Sequence, residues 1–159
     1  MTGLENIGSN IDRGITYSFE VRRSAINNQE AFMFLGGNTY NTVQRVVFSF
    51  QNELTYSPAK GIAVPLGTPR IELEDYVKVI VQHYAGSGLI YTSINNGVFE
   101  LAPASTITMP ADIYRPSLTL GRGDPDDFTS FYDGRMRNIY VYNSIVDIGD
   151  ITGGNRPVL

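Results

Sequence analysis

The sequence of 159 residues contains no cysteine, no tryptophan and only one histidine, His83. The absence of cysteine excludes disulfides, thiol nucleophiles and cysteine-ligated metal sites. A lone histidine also excludes a histidine-rich metal site. His83 follows Val77, Val79 and Val81 at alternating positions. We therefore predict a hydrogen-bonded core histidine rather than a catalytic one.

Charged side chains are scarce, at 18% of the residues, and the net charge is -4. Affinity for nucleic acid depends on many Lys and Arg contacts to phosphates, so this composition argues against a nucleic-acid partner. No apolar run approaches the roughly 20 residues that span a bilayer, and no basic amphipathic stretch is present, so we expect no membrane insertion.

Short segments with strand periodicity make up most of the chain, and no stretch of ten residues keeps a helical period. In the first segment Ile15, Tyr17, Phe19 and Val21 alternate with polar residues, as in a half-buried strand. The predicted strands lie in 14–22, 31–37, 45–51, 75–84, 89–94, 98–101, 117–122 and 131–147. Many short strands separated by turn residues predict an all-β fold, a two-sheet antiparallel β-sandwich.

Two local patterns refine this prediction. Asn95–Gly97 is a tight-turn sequence that tolerates positive φ and is expected to close a hairpin. In "GRMRNIYVYN", Met136, Ile139 and Val141 are spaced three and then two apart. That spacing fits a strand with a β-bulge, so that all three side chains face the same core.

The ordered set of these segments resembles the concanavalin A-like lectin/glucanase superfamily, and in particular its laminin-G-like domains. The resemblance rests on Leu120-Gly121-Arg122, then Phe131, then Gly134-Arg135-Met136, and on the bulged strand from Ile139 to Asn143. It implies a jelly-roll sandwich with one concave sheet. One departure is that Tyr76 stands about where many relatives carry Trp.

Carboxylates give no clear catalytic pair. Retaining glycosidases carry two carboxylates on one strand, and Glu72 and Glu74 would share a face. The pattern Glu-apolar-Asp-apolar-Glu that the resemblance leads us to expect is not present. We interpret Glu72, Glu74 and Asp75 as a solvated strand edge or turn.

A calcium ion is the one cofactor that the sequence suggests. Asp124, Asp126 and Asp127 lie in one acidic loop and could supply oxygen ligands. The loop lacks EF-hand spacing, and the laminin-G calcium site usually includes an Asp where this chain has Gln44 and Arg45. Oxygen-rich loops are often only solvated turns.

Tyrosine is abundant, with ten residues, in a chain whose other polar residues are mostly neutral. Tyr rings stack on sugars, and Asn, Ser and Thr groups match sugar hydroxyls. Most of the ten are expected to be structural, and those in loops or at strand ends are Tyr40, Tyr84, Tyr114 and Tyr132. The predicted ligand site uses Tyr40 and Tyr132 for stacking, with Asn38, Asn41, Asp124 and Asp127 for hydrogen bonds. The resemblance implies that both loops approach one rim of the sandwich.

These features predict a non-catalytic module that binds a cell-surface or capsular glycan. We expect one domain over 1–159, with an ordered core of about 4–149 and a tail over 150–159. It would belong to a larger extracellular or virion-surface protein, such as a phage tail fibre. Two alternatives remain: a structural or oligomerisation domain, forming a trimer if it is a fibre tip, and a glycan-cleaving enzyme.

Overall fold

The computed structural model describes residues 14–23, 30–36, 45–51, 53–58, 62–66, 75–103, 106–107, 117–120, 134–142 and 144–147. Ten β-strands form within these ranges, and every pair of neighbouring strands is antiparallel. Within the same ranges there is no helix long and apolar enough to cross a membrane.

The strands form two five-stranded sheets. The strands are β1 (Ile15–Arg23), β2 (Glu30–Gly36), β3 (Arg45–Gln51), β4 (Glu53–Ser57), β5 (Val64–Pro65), β6 (Val77–His83), β7 (Ile90–Ile94), β8 (Glu100–Leu101), β9 (Ser117–Leu120) and β10 (Gly134–Tyr142). Sheet A has the order β10-β1-β6-β7-β8, and sheet B has the order β5-β4-β3-β2-β9. The predicted two-sheet antiparallel sandwich is confirmed.

The core between the sheets is largely aromatic. Strand β1 contributes Tyr17 and Phe19, which meet Phe48 of β3 edge-on at ring-centroid distances of 5.1 and 5.0 Å. The ring of Tyr56 in β4 stacks on Phe48 at 5.0 Å. All four rings are fully buried, so the apolar face of the alternating strand predicted at 14–22 is the core face.

The β-bulge predicted in the last strand is confirmed. Register along β1 and β10 shifts between Ser18 and Glu20, so two residues of β10 oppose Phe19. The extra residue is Asn138, whose φ of 51° lies in the left-handed region. Met136, Ile139 and Val141 consequently all pack against the core.

The predicted turn at Asn95–Gly97 is also confirmed. Asn95 and Asn96 have φ values of 50° and 61°, and the Gly97 amide donates to the Ile94 carbonyl at 2.9 Å. Two consecutive positive φ values are those of a type I′ turn, which suits the right-handed twist of a hairpin.

Strands β4 and β5 were not predicted from the sequence. Strand β4 follows β3 after Asn52 alone, since Gln51 pairs with Glu53. Strand β5 contains Pro65 and pairs only with β4 at the edge of sheet B. A proline is compatible with an edge strand because no further strand needs its amide.

The segment after β10 lies across the outer face of sheet A. The Thr16 hydroxyl donates to the Ser144 carbonyl at 2.8 Å and accepts from the Val146 amide at 3.2 Å. The Gln82 side-chain amide donates to the Val146 carbonyl at 2.6 Å. This segment covers the half of the face near His83, and the opposite half contains the residues considered next.

Candidate functional site

The candidate site lies on the outer face of sheet A, near the start of β10. Strand β1 runs from Ile15, which pairs with His83, to Arg23, which pairs with Gly134. These pairs define a His83 end and a Gly134 end of sheet A. At the Gly134 end a group of neighbouring side chains, the Arg137 cluster, contains Glu20, Tyr76, Lys78, Arg137 and Asn138.

Arg137 is held from two sides. Its Nε donates to Glu20 Oε2 at 2.5 Å, which is a charge-assisted hydrogen bond. Its guanidinium carbon lies 3.8 Å from the centre of the Tyr76 ring, within cation–π range. Arg137 belongs to β10, whereas Tyr76 precedes β6, and β1 lies between those strands. The two side chains therefore meet across β1.

The β-bulge adds a further contact to this cluster. Asn138, the extra residue of the bulge, donates from Nδ2 to Glu20 Oε1 at 2.9 Å. Each oxygen of the Glu20 carboxylate thus accepts a hydrogen bond from one of two consecutive residues of β10. Bulges often re-aim side chains in this way.

Electrostatics favour the ionised form of Glu20. Burial of its carboxyl group on its own raises the pKa. Hydrogen bonds from Asn138 and Arg137, together with the positive charges of Arg137 and Lys78, outweigh that effect. The pKa of Glu20 is therefore lower than that of an ordinary Glu, and the Glu20–Arg137 pair is ionised at neutral pH.

This part of sheet A is rich in cations although the chain is acidic overall. Arg22 of β1 lies directly opposite Arg135 of β10, one alternating position beyond the Glu20–Arg137 pair. By strand alternation, the described outer face at this end has four cationic residues and one carboxylate: Arg22, Lys78, Arg135, Arg137 and Glu20. Like charges directly opposite each other in a sheet reduce stability. The arrangement is suited to an anionic ligand.

The residues predicted to form the ligand site lie outside the described residues. They are Asn38, Tyr40, Asn41, Asp124, Asp126, Asp127 and Tyr132, so both the glycan site and the calcium site stay predictions. Among the described residues there is no group of three or more His, Asp or Glu that could hold a metal ion. Tyr114, Glu72 and Glu74 also lie outside the described part, and Asp75 is exposed.

The two loops of the predicted site leave the β2–β9 pair at opposite ends, and the expectation that they share a rim lies outside the described residues. Loop 37–44 leaves β2 at Gly36, which pairs with Ser117. Loop 121–133 leaves β9 at Leu120, which pairs with Met33. Three residues of strand, about 10 Å at the usual rise, separate these anchor points. Loop 121–133 leads to Gly134, and thus to the end of sheet A that contains the Arg137 cluster.

His83 is a structural residue, as predicted. Its ring is fully buried, Nε2 lies 2.7 Å from the Ile107 carbonyl, and Nδ1 lies 3.1 Å from the Tyr56 hydroxyl. Tyr84, one of the four tyrosines singled out by position, is half-buried, and its ring packs edge-on against Tyr91 at 5.7 Å.

Sequence reasoning did not identify the Arg137 cluster. The hydrogen bond between Arg137 and Glu20 joins residues 117 positions apart. One available signal was the bulge spacing itself, because a bulge places an extra polar residue, Asn138, beside a charged one. Another was Tyr76, which the resemblance had marked as an unusual position.

Comparison with solved structures shows the fold. The CBM40 of the Ruminococcus gnavus IT-sialidase, solved bound to α2,3-sialyllactose, matches with a TM-score of 0.65 and 10% identity, over 91% of this chain and 83% of that chain. A heptameric SAP-like pentraxin from Limulus polyphemus matches with a TM-score of 0.59 and 11% identity, over 88% and 68% of the two chains. The NanB sialidase of Streptococcus pneumoniae matches with a TM-score of 0.61 and 10% identity, over 94% of this chain but only 25% of that chain.

These likenesses identify a jelly-roll β-sandwich of the kind found in carbohydrate-binding modules and pentraxins. At 10–11% identity they show the fold alone. No protein-family model matches the sequence, and a search of curated proteins gave no significant match.

Proposed function

We propose that this chain is a non-catalytic carbohydrate-binding module of the concanavalin A-like superfamily. The observation that carries the proposal is the shared jelly roll with the R. gnavus CBM40, which was solved with a bound sialyllactose and of which this chain covers 83%. Because that match extends over most of a binding module, it favours a binding role over a catalytic one. The neutral, Tyr-rich composition supports the same role.

The predicted loops are the proposed ligand contacts. Tyr132, Asp124 and Asp127 belong to the loop that leads into β10, whereas Tyr40, Asn38 and Asn41 belong to the loop after β2. The anchors of the two loops lie at opposite ends of the β2–β9 pair, and the proposal is that both loops extend to one shallow site. A calcium ion bound by Asp124, Asp126 and Asp127 is part of the proposal for the second loop.

The proposed setting is a single domain of a larger extracellular or virion-surface protein, such as a phage tail fibre. Its partner there is a cell-surface or capsular glycan. The support for this setting is indirect: the chain is a strand-rich, cysteine-free domain with few charges, and its fold resembles that of the CBM40 of a sialidase.

Titration calorimetry with a glycan that the wild-type chain binds tests the proposed contacts. Tyr132→Ala and Tyr40→Ala are compared with Tyr91→Ala, which alters a half-buried ring outside both loops. Affinity should fall at least about tenfold in one or both loop variants, since an aromatic stacking contact is typically worth about 1 kcal/mol or more. Full affinity in the Tyr40→Ala/Tyr132→Ala double variant would remove both loops from the site. Repeating the titration with added EDTA tests whether glycan binding depends on a calcium ion.

One observation favours oligomerisation as a second candidate function. Val98 is 86% exposed, and Leu101 in the edge strand β8 is 52% exposed. Apolar side chains next to a sheet edge are suited to a contact with a second copy of the chain. Light scattering of the wild type and of Leu101→Lys tests it: a trimer or dimer that dissociates in the variant supports this candidate, and a monomeric wild type excludes it.

A further inference from the structure

We propose that the Arg137 cluster is a subsite for an anionic group of the glycan, specifically the carboxylate of an acidic sugar. The inference rests on the proposed function, because that function supplies the sugar. The anion and its binding residues follow from the geometry of Arg137, Tyr76 and Glu20 on the outer face of sheet A.

The Arg137 guanidinium has a fixed orientation. Glu20 binds its Nε and Tyr76 covers one face, yet the side chain remains 54% exposed. Within the part of the chain that the structure describes, only Nε has a hydrogen-bond partner. The two terminal amino groups of a guanidinium form a planar fork that matches a carboxylate. Because Arg137 is already held, binding an anion would cost less side-chain entropy than at a free surface Arg.

Positive charge is concentrated around the guanidinium of Arg137. Arg135 is exposed two positions before Arg137, and it lies directly opposite Arg22. Glu20 offsets part of this positive charge, but it binds Nε of Arg137 and leaves the two terminal amino groups to the ligand.

The anion that best fits this site is a single carboxylate. A single sugar carboxylate matches one fork, whereas a nucleic acid or a densely sulfated chain would meet a protein of net charge -4. The amide of exposed Asn138 lies beside Arg137 and can bond sugar hydroxyls.

If Arg137 had a purely structural role, its substitution would have a different effect. A surface Arg–Glu pair with a cation–π contact would contribute to stability, and its loss would leave ligand affinity unchanged. Affinity and melting temperature therefore have to be measured together on each variant.

The experiment is titration calorimetry of the full chain with three probes: α2,3-sialyllactose for a carboxylate, 3′-sulfated lactose for a sulfate, and lactose as the neutral control. We expect sialyllactose to bind at least about tenfold more tightly than lactose, an increment typical of a charge-assisted contact. Tighter binding of the sulfated lactose than of sialyllactose would overturn the choice of carboxylate. Raising the salt concentration should weaken only the binding of the charged probes.

The variants identify the responsible residue. Arg137→Gln should remove the preference for sialyllactose, and Arg137→Lys should restore only part of it, because an ammonium lacks the fork. Glu100→Gln changes a charge on β8, at the opposite edge of sheet A, and should leave the preference unchanged. A normal preference in Arg137→Gln would overturn the inference.

The results also separate this inference from the proposed function. If neutral glycans bind but neither charged probe binds more tightly than lactose, the subsite is wrong and the carbohydrate-binding function stands. If no glycan of any kind binds, the proposed function is wrong and this inference falls with it.

Discussion

The hydroxyl of Tyr56 lies 3.1 Å from Nδ1 of His83, and this hydrogen bond joins sheet B to sheet A through the core. The other ring nitrogen, Nε2, lies 2.7 Å from the Ile107 carbonyl, which can only accept. Nε2 therefore carries the ring proton, and Nδ1 accepts the proton of the Tyr56 hydroxyl. Two hydrogen bonds thus fix the single histidine of the chain as a core residue.

Removing the Tyr56 hydroxyl should destabilise the fold. Tyr56→Phe keeps the ring but withdraws the donor from Nδ1 in a fully buried environment, and we expect a loss of about 1 to 3 kcal/mol in the free energy of unfolding. Urea denaturation measures it. The control is Tyr91→Phe, a half-buried ring expected to change stability by less than about 0.5 kcal/mol. Equal stability of the two variants would show that the bond between the sheets contributes nothing.

The bulge in β10 sets the core register of the last strand. Ile139 packs against the core, so Ile139→Asp should lower stability by more than about 3 kcal/mol or prevent folding, because it places an unpaired charge there. Ile139→Val should cost only about 0.5 to 1.5 kcal/mol. Soluble Ile139→Asp protein that unfolds cooperatively near the wild-type temperature would mean that the register is wrong.

The turn between β7 and β8 can be made more stable by substitution. Asn96 adopts a φ of 61°, which glycine accepts without strain, and Asn-Gly is the favoured pair for a type I′ turn. Asn96→Gly should therefore raise or preserve the melting temperature. Asn96→Val should lower stability by about 1 kcal/mol or more, since a β-branched residue is strained at positive φ. The opposite order of melting temperatures would exclude this turn geometry.

Acid should weaken the Arg137 cluster. The pKa of Glu20 is lowered in the folded protein, so its contribution is present above the unfolded value of about 4.3 and is lost as the pH falls through the folded value. The difference in unfolding free energy between the wild type and Glu20→Gln should be largest near neutral pH. We expect it to shrink below about pH 4. Denaturation at a series of pH values measures this difference, and one that stays constant would contradict the ionised pair.

Strands with strict alternation were predictable because burial of one sheet face imposes that pattern. The segment from Ile15 to Val21 shows this alternation. The turn was predictable because Asn95 and Asn96 are residues that tolerate positive φ. Strand β4 was missed because Asn52 alone separates it from β3, which leaves no recognisable loop in the sequence. Strand β5 was missed because it has two residues, one of them proline, and depends on pairing with β4.

The candidate site was less predictable than the fold. The contact between Arg137 and Tyr76 depends on β10 and β6 flanking β1, an order that local sequence does not encode. The expectation that both tyrosine-bearing loops share a rim lies outside the described residues and stays a prediction. The antiparallel pairing of Gly36 with Ser117 and of Leu120 with Met33 places their anchors at opposite ends.

The central claim is that this jelly roll is a carbohydrate-binding module, and a glycan array tests it most directly. The array should present neutral and acidic sugars together and be probed with the labelled full chain, with the Tyr40→Ala/Tyr132→Ala variant alongside. We predict dose-dependent binding to a defined set of glycans, including sialylated ones, and loss of that binding in the variant. No binding to any glycan at micromolar protein, by a chain that melts cooperatively, would contradict the account.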